Sequence, residues 1–316
     1  MHFNGFDLNL LVALDALLTE RNVTRAAARL HITQPAMSNA LQRLRQRLDD
    51  PILERSGREL KLTPVAEALV RPLQDLLSRT EQLIGLTDGF DPSTATRTFR
   101  IAMSDYCAAV FMPLLVQKLS VSAPHIRCEA EALNDQSFER LTARNLDFCV
   151  TAQDLFLMGA SADGSKVRRA DLFRDSYVTA TSPEHPAVKH GMDEATYLAY
   201  PHVSYRSGSG VRSLEDQAKS TLGLDTKIGA VTSVLVAMPL LVAGTDYIAT
   251  FPARITQVIG GARGFVLHEC PVEIPELVET LLWNTMSDMD RGHVWMRNAI
   301  VETAQILQNS KSSEAA

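Results

Sequence analysis

The sequence predicts a chain in two parts: an N-terminal all-α winged helix-turn-helix extended by a linker helix, then a longer C-terminal α/β region. Three observations predict this. A basic amphipathic stretch from Thr33 to Leu48 follows a short alanine-rich helix and precedes two alternating segments; a leucine-spaced stretch starts at Pro64; and from Thr98 onward short apolar alternations take turns with helical patterns. At 316 residues the chain exceeds the usual span of one domain and can bury more than one core.

Met37, Leu41, Leu44 and Leu48 recur at helical spacing, so one face of the Thr33–Leu48 stretch is buried and Pro35, Asn39, Gln42 and Gln46 lie opposite. Thr33 is placed to cap this helix, and Pro35 in the first turn forfeits no needed N–H. Short amide and hydroxyl side chains at an exposed helix N-terminus suit the reading of base edges in a major groove. Upstream, Asp7 is expected to cap a helix running to about Glu20, with Leu10, Leu14, Leu17 and Leu18 on one face. Thr24 is expected to cap a second helix over residues 25–30. Two helices joined by the turn at residues 30–33 make a helix-turn-helix. Residues 52–55 and 58–62 then alternate around Ser56-Gly57 as a hairpin with a basic tip, a wing.

The formal charge of −6 is unevenly spread. Between Arg21 and Thr63 nine basic residues face four acidic ones, a local excess of five positive charges on an otherwise acidic chain. Such a distribution fits a protein that meets phosphate with one end only. The four cysteines, Cys107, Cys128, Cys149 and Cys270, are widely spaced and lack a C-x-x-C pair, which points to free thiols in a reducing compartment. Residues 8–18 do not read as a signal peptide, and the longest apolar run, from Val234 to Ala243, is too short to span a bilayer. A cytoplasmic protein without membrane partner, cofactor or metal is expected.

From Pro64 the residues Leu69, Leu73, Leu76, Thr80 and Leu83 keep the spacing of a coiled-coil seam, which predicts a homodimer, with a kink at Pro72. Asp88 to Ser93 reads as a hinge. Beyond it the pattern predicts a first strand through Phe99, Ile101 and Met103, a crossover helix over 111–119 and a strand over 127–132. A helix end, turn and strand follow over 141–150. Later strands are expected at 177–181, 200–205, 228–231, 246–250 and 265–268, and helices at 233–242 and 291–307.

The run Leu8-Asn9-Leu10-Leu11, Ala26-Ala27, Thr33-Gln34-Pro35-Ala36-Met37-Ser38, Leu44 and Leu62-Thr63-Pro64 resembles the N-terminal domain of LysR-type transcriptional regulators. It is most similar to the branch holding the nodulation and naphthalene/salicylate regulators. Leu53 stands where the family often has Phe, and Asn39 where Arg is common; Asn favours adenine and Arg guanine. Asn145 stands where Gly is usual and is expected in a left-handed turn.

The resemblance implies a sequence-specific regulator bound to double-stranded promoter DNA, with Gln34, Pro35, Ser38 and Asn39 at bases and sugar. Thr33 would open the helix, Thr24, Arg25 and Arg43 would hold phosphates, and Arg55 in the wing would enter the adjacent minor groove. It implies a winged helix-turn-helix domain over 1–64, a linker or dimerisation helix over 65–89, and an effector domain of two Rossmann-like subdomains, as in periplasmic binding proteins. These would comprise 97–174 with 270–307, and 175–269, the chain crossing near Asp175 and returning near Cys270. A small aromatic or carboxylate inducer would lie between them, outside the carboxyl ends of the strands. Ser104, Asp105, Tyr106, Thr151, Tyr205, Arg206, Thr232 and Arg254 would line that site, with Arg206 or Arg254 clamping a carboxylate and helix N-terminal amides at Ser104 or Thr232 assisting. The inducer would shift how dimers pair into a tetramer and so admit RNA polymerase.

An enzyme is the first competing reading. The chain carries no G-x-S-x-G, H-E-x-x-H or phosphate-loop motif, and Ser207-Gly208-Ser209-Gly210 lacks the lysine such a loop needs. His185 and His190 have no third ligand in view. A redox sensor using the cysteines is the second competing reading, and a constitutive regulator without inducer is the third.

Overall fold

The computed structural model describes residues 7–56, 59–85, 90–152, 166–206, 213–259 and 264–310. The chain divides into two compact units, Met1–Gly89 and Phe90–Ala316.

In the first unit, helices α1 (Asn9–Glu20), α2 (Val23–Arg29) and α3 (Gln34–Leu48) enclose one core. Leu10, Leu14, Leu17 and Leu18 of α1 meet Ala26 and Ala27 of α2 and Met37, Leu41 and Leu44 of α3, all buried. The alanines let the helices approach closely. Asp7 accepts the Asn9 N–H at 3.0 Å, as its position before the helix suggests. The second helix starts earlier than expected, and Asn22 rather than Thr24 caps it, accepting the Arg25 N–H at 3.0 Å. Asn22 has the extended backbone a cap requires, whereas Thr24 already lies in the first turn.

Strands β1 (Leu53–Ser56) and β2 (Glu59–Leu62) form the wing, pairing Leu53 with Leu62 and Arg55 with Leu60. Helix α4 (Pro64–Gly85) follows and runs on through Pro72. Its inner stripe is Ala66, Val70, Leu73 and Leu77, packed on the core of this unit, while Leu76 and Thr80 are exposed. Leu73 therefore leaves the expected seam: two stripes at heptad spacing share it, and burial claims it for its own domain. The Leu83 side chain is outside the described residues.

Thr63 joins wing to helix. It accepts the Ala66 N–H at 3.1 Å and donates to Asp50 at 2.6 Å, and Asp50 also receives the Ile52 N–H at 2.6 Å.

The second unit holds two five-stranded sheets. The first has the order β4-β3-β5-β12-β6, with β3 (Thr98–Met103), β4 (Arg127–Ala132) and β5 (Phe148–Ala152) parallel and β12 (Leu277–Asn284) antiparallel to β5 and to β6 (Val167–Asp175). The second has the order β11-β7-β10-β8-β9. There β10 (Ile248–Pro252), β8 (His202–Tyr205) and β9 (Ile228–Thr232) are parallel, and β7 (Tyr177–Thr181) is antiparallel both to β10 and to the edge strand β11 (Val266–Glu269). In each sheet four strands thus run one way and one runs against them, β12 in the first and β7 in the second, each being the strand by which the chain enters from the other sheet. The first passage takes one residue, Ser176, between β6 and β7; the return lies between Glu269 and Leu277.

Helices α5 (Asp105–Val110), α6 (Met112–Ser122), α7 (Ser137–Thr142) and the long C-terminal α12 (Arg291–Ser310) cover the first sheet, α12 lying on β6 and α6. Short helices α8 (Ala187–His190), α9 (Glu194–Ala199), α10 (Leu214–Thr221) and α11 (Ile255–Val258) belong to the second. Residues expected as an α-helix at 233–242 form a 3-10 helix, Leu235–Val242, interrupted in its bonding by Pro239, which has no N–H. Pro201 likewise delays the strand expected from Tyr200 until His202. The left-handed residue after α7 is Arg144 (φ +61°), not Asn145, whose N–H instead closes the turn onto the Arg140 carbonyl at 2.7 Å. No described helix is long and apolar enough to cross a membrane.

Thr63→Ala should destabilise the first unit by about 1–3 kcal/mol, the loss of a buried cap and of its bond to Asp50. Thr63→Ser should keep most of that stability, as urea unfolding of the full chain will read.

Candidate functional site

The first unit presents a polar face. On α3 the buried Met37, Leu41 and Leu44 leave Gln34, Pro35, Ser38, Asn39, Gln42 and Arg43 exposed on the outer side. Thr33 is exposed too, but its hydroxyl is committed to the cap, accepting the Ala36 N–H at 3.4 Å. Thr24 and Arg25 lie exposed at the start of α2. Arg25 donates to the Glu20 carbonyl at 2.6 Å, and Arg43 pairs with Asp7 at 3.3 Å. Both arginines stay well exposed, so a phosphate can replace these partners at little cost. Arg45 donates to the Pro51 carbonyl at 2.9 Å, which fits its being left out of the phosphate set. Arg55 sits in β1; its side chain is outside the described residues, as is Arg58.

In the second unit the expected cleft residues divide into three groups. Ser104, Asp105, Tyr205 and Thr232 are partly exposed at the carboxyl ends of β3, β8 and β9, and Arg206, beyond β8, is exposed. Thr151 is buried inside β5, opposite Thr280, rather than after the strand. Tyr106 and Arg254 are wholly buried. The helix N-terminal amides do not stand open as expected. Ser104 accepts the Cys107 N–H at 3.1 Å, Thr232 accepts the Val234 N–H at 3.0 Å, and Asp105 accepts the Val236 N–H at 2.9 Å. Asp105 thereby links the first sheet's α5 to the second sheet's 3-10 helix. Arg206 gives its own N–H to the Thr232 carbonyl at 2.9 Å, extending the β8–β9 ladder.

Beneath this rim lies a buried polar cluster that sequence reasoning missed in part. Asp175 accepts the Tyr106 hydroxyl at 2.8 Å and the Arg254 N–H at 2.9 Å on one oxygen, and the Ser176 N–H at 2.9 Å on the other. The Arg254 guanidinium is 4.0 Å from Asp175, and none of its three nitrogens has a hydrogen-bond partner among the described residues. Glu279 is 3 % exposed in β12, and its Oε2 has no hydrogen-bond partner among the described residues. Burial lifts its carboxyl to about 7, the Cys107 thiol opposing that rise and the charge of Asp175 adding to it. The Tyr205 phenol is raised by burial and then by the negative charges of Asp105 and Glu279. A signal for Glu279 exists: it is the one carboxylate in the otherwise uncharged strand Leu277-Val278-Glu279-Thr280-Leu281-Leu282.

Burial pushes the Cys128 and Cys149 thiols up to about 12 and Cys107 well above its ordinary value, which favours the protonated thiol at these three, and all four cysteines are free.

Glu279 holds its proton in the folded protein to higher pH than in the unfolded chain, so it draws stability down as pH rises from about 4.5 to about 7. The advantage of Glu279→Gln over the natural protein in thermal unfolding should grow across that window and level off above it. A difference constant with pH would contradict this.

Comparison with known proteins places these features. Residues 8–67 match the bacterial regulatory helix-turn-helix protein, lysR family, and residues 93–305 the LysR substrate binding domain. The chain is 33% identical over 305 residues to nodulation protein D of Bradyrhizobium sp. (strain ANU 289), covering 96% of this chain and 88% of that protein. It is equally 33% identical to nodulation protein D 3 of Mesorhizobium japonicum, over 96% of this chain and 99% of the other. Among solved structures, a protein described as a probable transcriptional regulator from Pseudomonas aeruginosa superposes with a TM-score of 0.71 at 30% identity, over 93% of this chain and 96% of that one. CbnR in complex with its target DNA shares the fold at 14% identity, with a TM-score of 0.57 over 95% and 100% of the two chains.

Proposed function

The chain belongs to the LysR family of DNA-binding transcriptional regulators with an effector-binding domain, and from that premise we propose how its own residues divide the work. Gln34, Pro35, Ser38 and Asn39 read bases in a major groove; Thr24, Arg25 and Arg43 hold phosphates; Thr33 fixes the start of the helix; Arg55 enters the minor groove beside it. The observation that carries this is the one-sidedness of α3: Met37, Leu41 and Leu44 are spent on the core, and the side chains left outward are amides, hydroxyls and arginine. Residues 1–64 form the DNA-binding domain. Residues 65–89 form a linker whose exposed Leu76 and Thr80 continue a seam onto a second copy, giving a homodimer that reads a two-fold, interrupted palindrome. Dimers pair into a tetramer.

Residues 97–174 with 270–307, and 175–269, are the two effector subdomains. A small organic inducer, aromatic or carboxylate, lies between them against Ser104, Asp105, Thr151, Tyr205, Arg206 and Thr232, with Tyr106 and Arg254 beneath. Its binding favours one arrangement of the subdomains, alters the tetramer and the DNA geometry, and activates transcription by admitting RNA polymerase. The protein acts in the cytoplasm and catalyses no reaction. The high thiol pKa of the described cysteines favours this over redox sensing.

Fluorescence-anisotropy titration against salt separates the two DNA roles. Arg55→Ala should weaken binding to every sequence and lower the salt slope by about one unit, one phosphate-region charge lost. Asn39→Ala should leave the slope unchanged and relax preference at one base pair. Equal slopes for Arg55→Ala and the natural protein would remove the wing contact.

A further inference from the structure

The buried cluster beneath the cleft has an unequal supply of donors and acceptors. A guanidinium carries five N–H donors and no acceptor. Arg254 is 1 % exposed, yet its Nε, Nη1 and Nη2 find no acceptor among the described residues. The nearest carboxylate, Asp175, stands 4.0 Å from Nε, close enough to balance its charge and too far to take its hydrogen. Asp175 is engaged elsewhere: the Tyr106 hydroxyl and the Arg254 backbone N–H donate to one oxygen and the Ser176 N–H to the other. Arg254 is therefore neutralised in charge and left open in hydrogen bonding.

We propose that Asp175 sets the charge of the effector: as a built-in counter-ion to Arg254, it reserves the guanidinium for an uncharged oxygen acceptor and turns carboxylates away. This rests on the reading of the cleft as the effector site, and it decides between the aromatic and carboxylate classes left open there. A ketone, aldehyde or phenol oxygen accepts from the guanidinium and adds no charge. A carboxylate in the same place would stand beside Asp175 in a medium of low dielectric, where like charges repel strongly. Arg206 lies exposed outside the buried cluster. Specificity here comes from a repulsive element as much as from an attractive one.

The test is calorimetric titration of the full-length protein near neutral pH with a matched pair of probes, acetophenone and benzoate. The natural protein should bind acetophenone at least about tenfold more tightly than benzoate, and Asp175→Asn should reverse that order, benzoate gaining about tenfold or more. Should Asp175→Asn fail to fold by circular dichroism, Arg254→Gln carries the test: acetophenone should weaken about tenfold and benzoate stay weak. Benzoate bound by the natural protein as tightly as acetophenone overturns the proposal while leaving the cleft as the effector site. So does an unchanged order in Asp175→Asn, or acetophenone binding unaffected by Arg254→Gln. Binding of neither probe by any of the proteins counts against the cleft reading itself and the proposal with it.

Discussion

The carboxylate of Asp175 gathers three elements of the second unit at one point. It receives a hydroxyl from α5 of the first sheet, an N–H from the single residue that separates β6 from β7, and an N–H from the start of α11 in the second sheet. One residue of chain separates β6 from β7, and of these bonds the one from the Arg254 N–H crosses from the second sheet to the first. The Asp105 bond to the Val236 N–H is a second tie across the same junction. Hydrogen bonds to a charged group contribute about 1.5–3 kcal/mol each, the scale on which a small ligand's differential affinity can shift a two-state equilibrium. That is the scale of free energy the proposed effector would have to supply to change the arrangement at this junction.

The first unit solves a different problem, placing a chemically bland recognition surface with accuracy. Ahead of Arg43, the outward side chains of α3 are short and uncharged. What fixes their position is the packing of Met37, Leu41 and Leu44 against α1 and α2, with the helix capped at Thr33. The arginines beside the helix keep weak acidic partners, Glu20 and Asp7, which orient them without binding them tightly.

Much of this was legible in the sequence where periodicity carries it. The leucine faces of α1 and α3 and the strands at 127–132 and 177–181 lie where their patterns place them. The differences arise where one residue's backbone chemistry competes with a pattern. Asn22 displaces Thr24 as a cap, Pro239 leaves a 3-10 helix where apolar spacing suggests an α-helix, and Arg144 takes the left-handed turn that Asn145 suits better. Leu73 belongs to two heptad stripes at once, and only tertiary packing assigns it. The candidate site was legible at its rim, because Ser104, Asp105, Tyr205 and Thr232 follow or end recognisable strands. Its buried floor was not: the burial of Asp175 and Glu279 comes from how β6 and β12 pair in the sheet, which no local pattern encodes.

In the proposed mechanism, the junction at Asp175 couples effector binding to the geometry imposed on DNA. The most direct measurement is a footprint of the natural full-length protein and of Tyr106→Phe on the bacterium's own genomic DNA. Tyr106→Phe removes one donor to Asp175 and leaves the DNA-reading residues untouched. Under that mechanism both proteins should protect the same two-fold, interrupted sites, with the spacing or the pattern of enhanced cleavage between half-sites altered in the variant. Identical footprints, or protection without discrete two-fold sites, would contradict it.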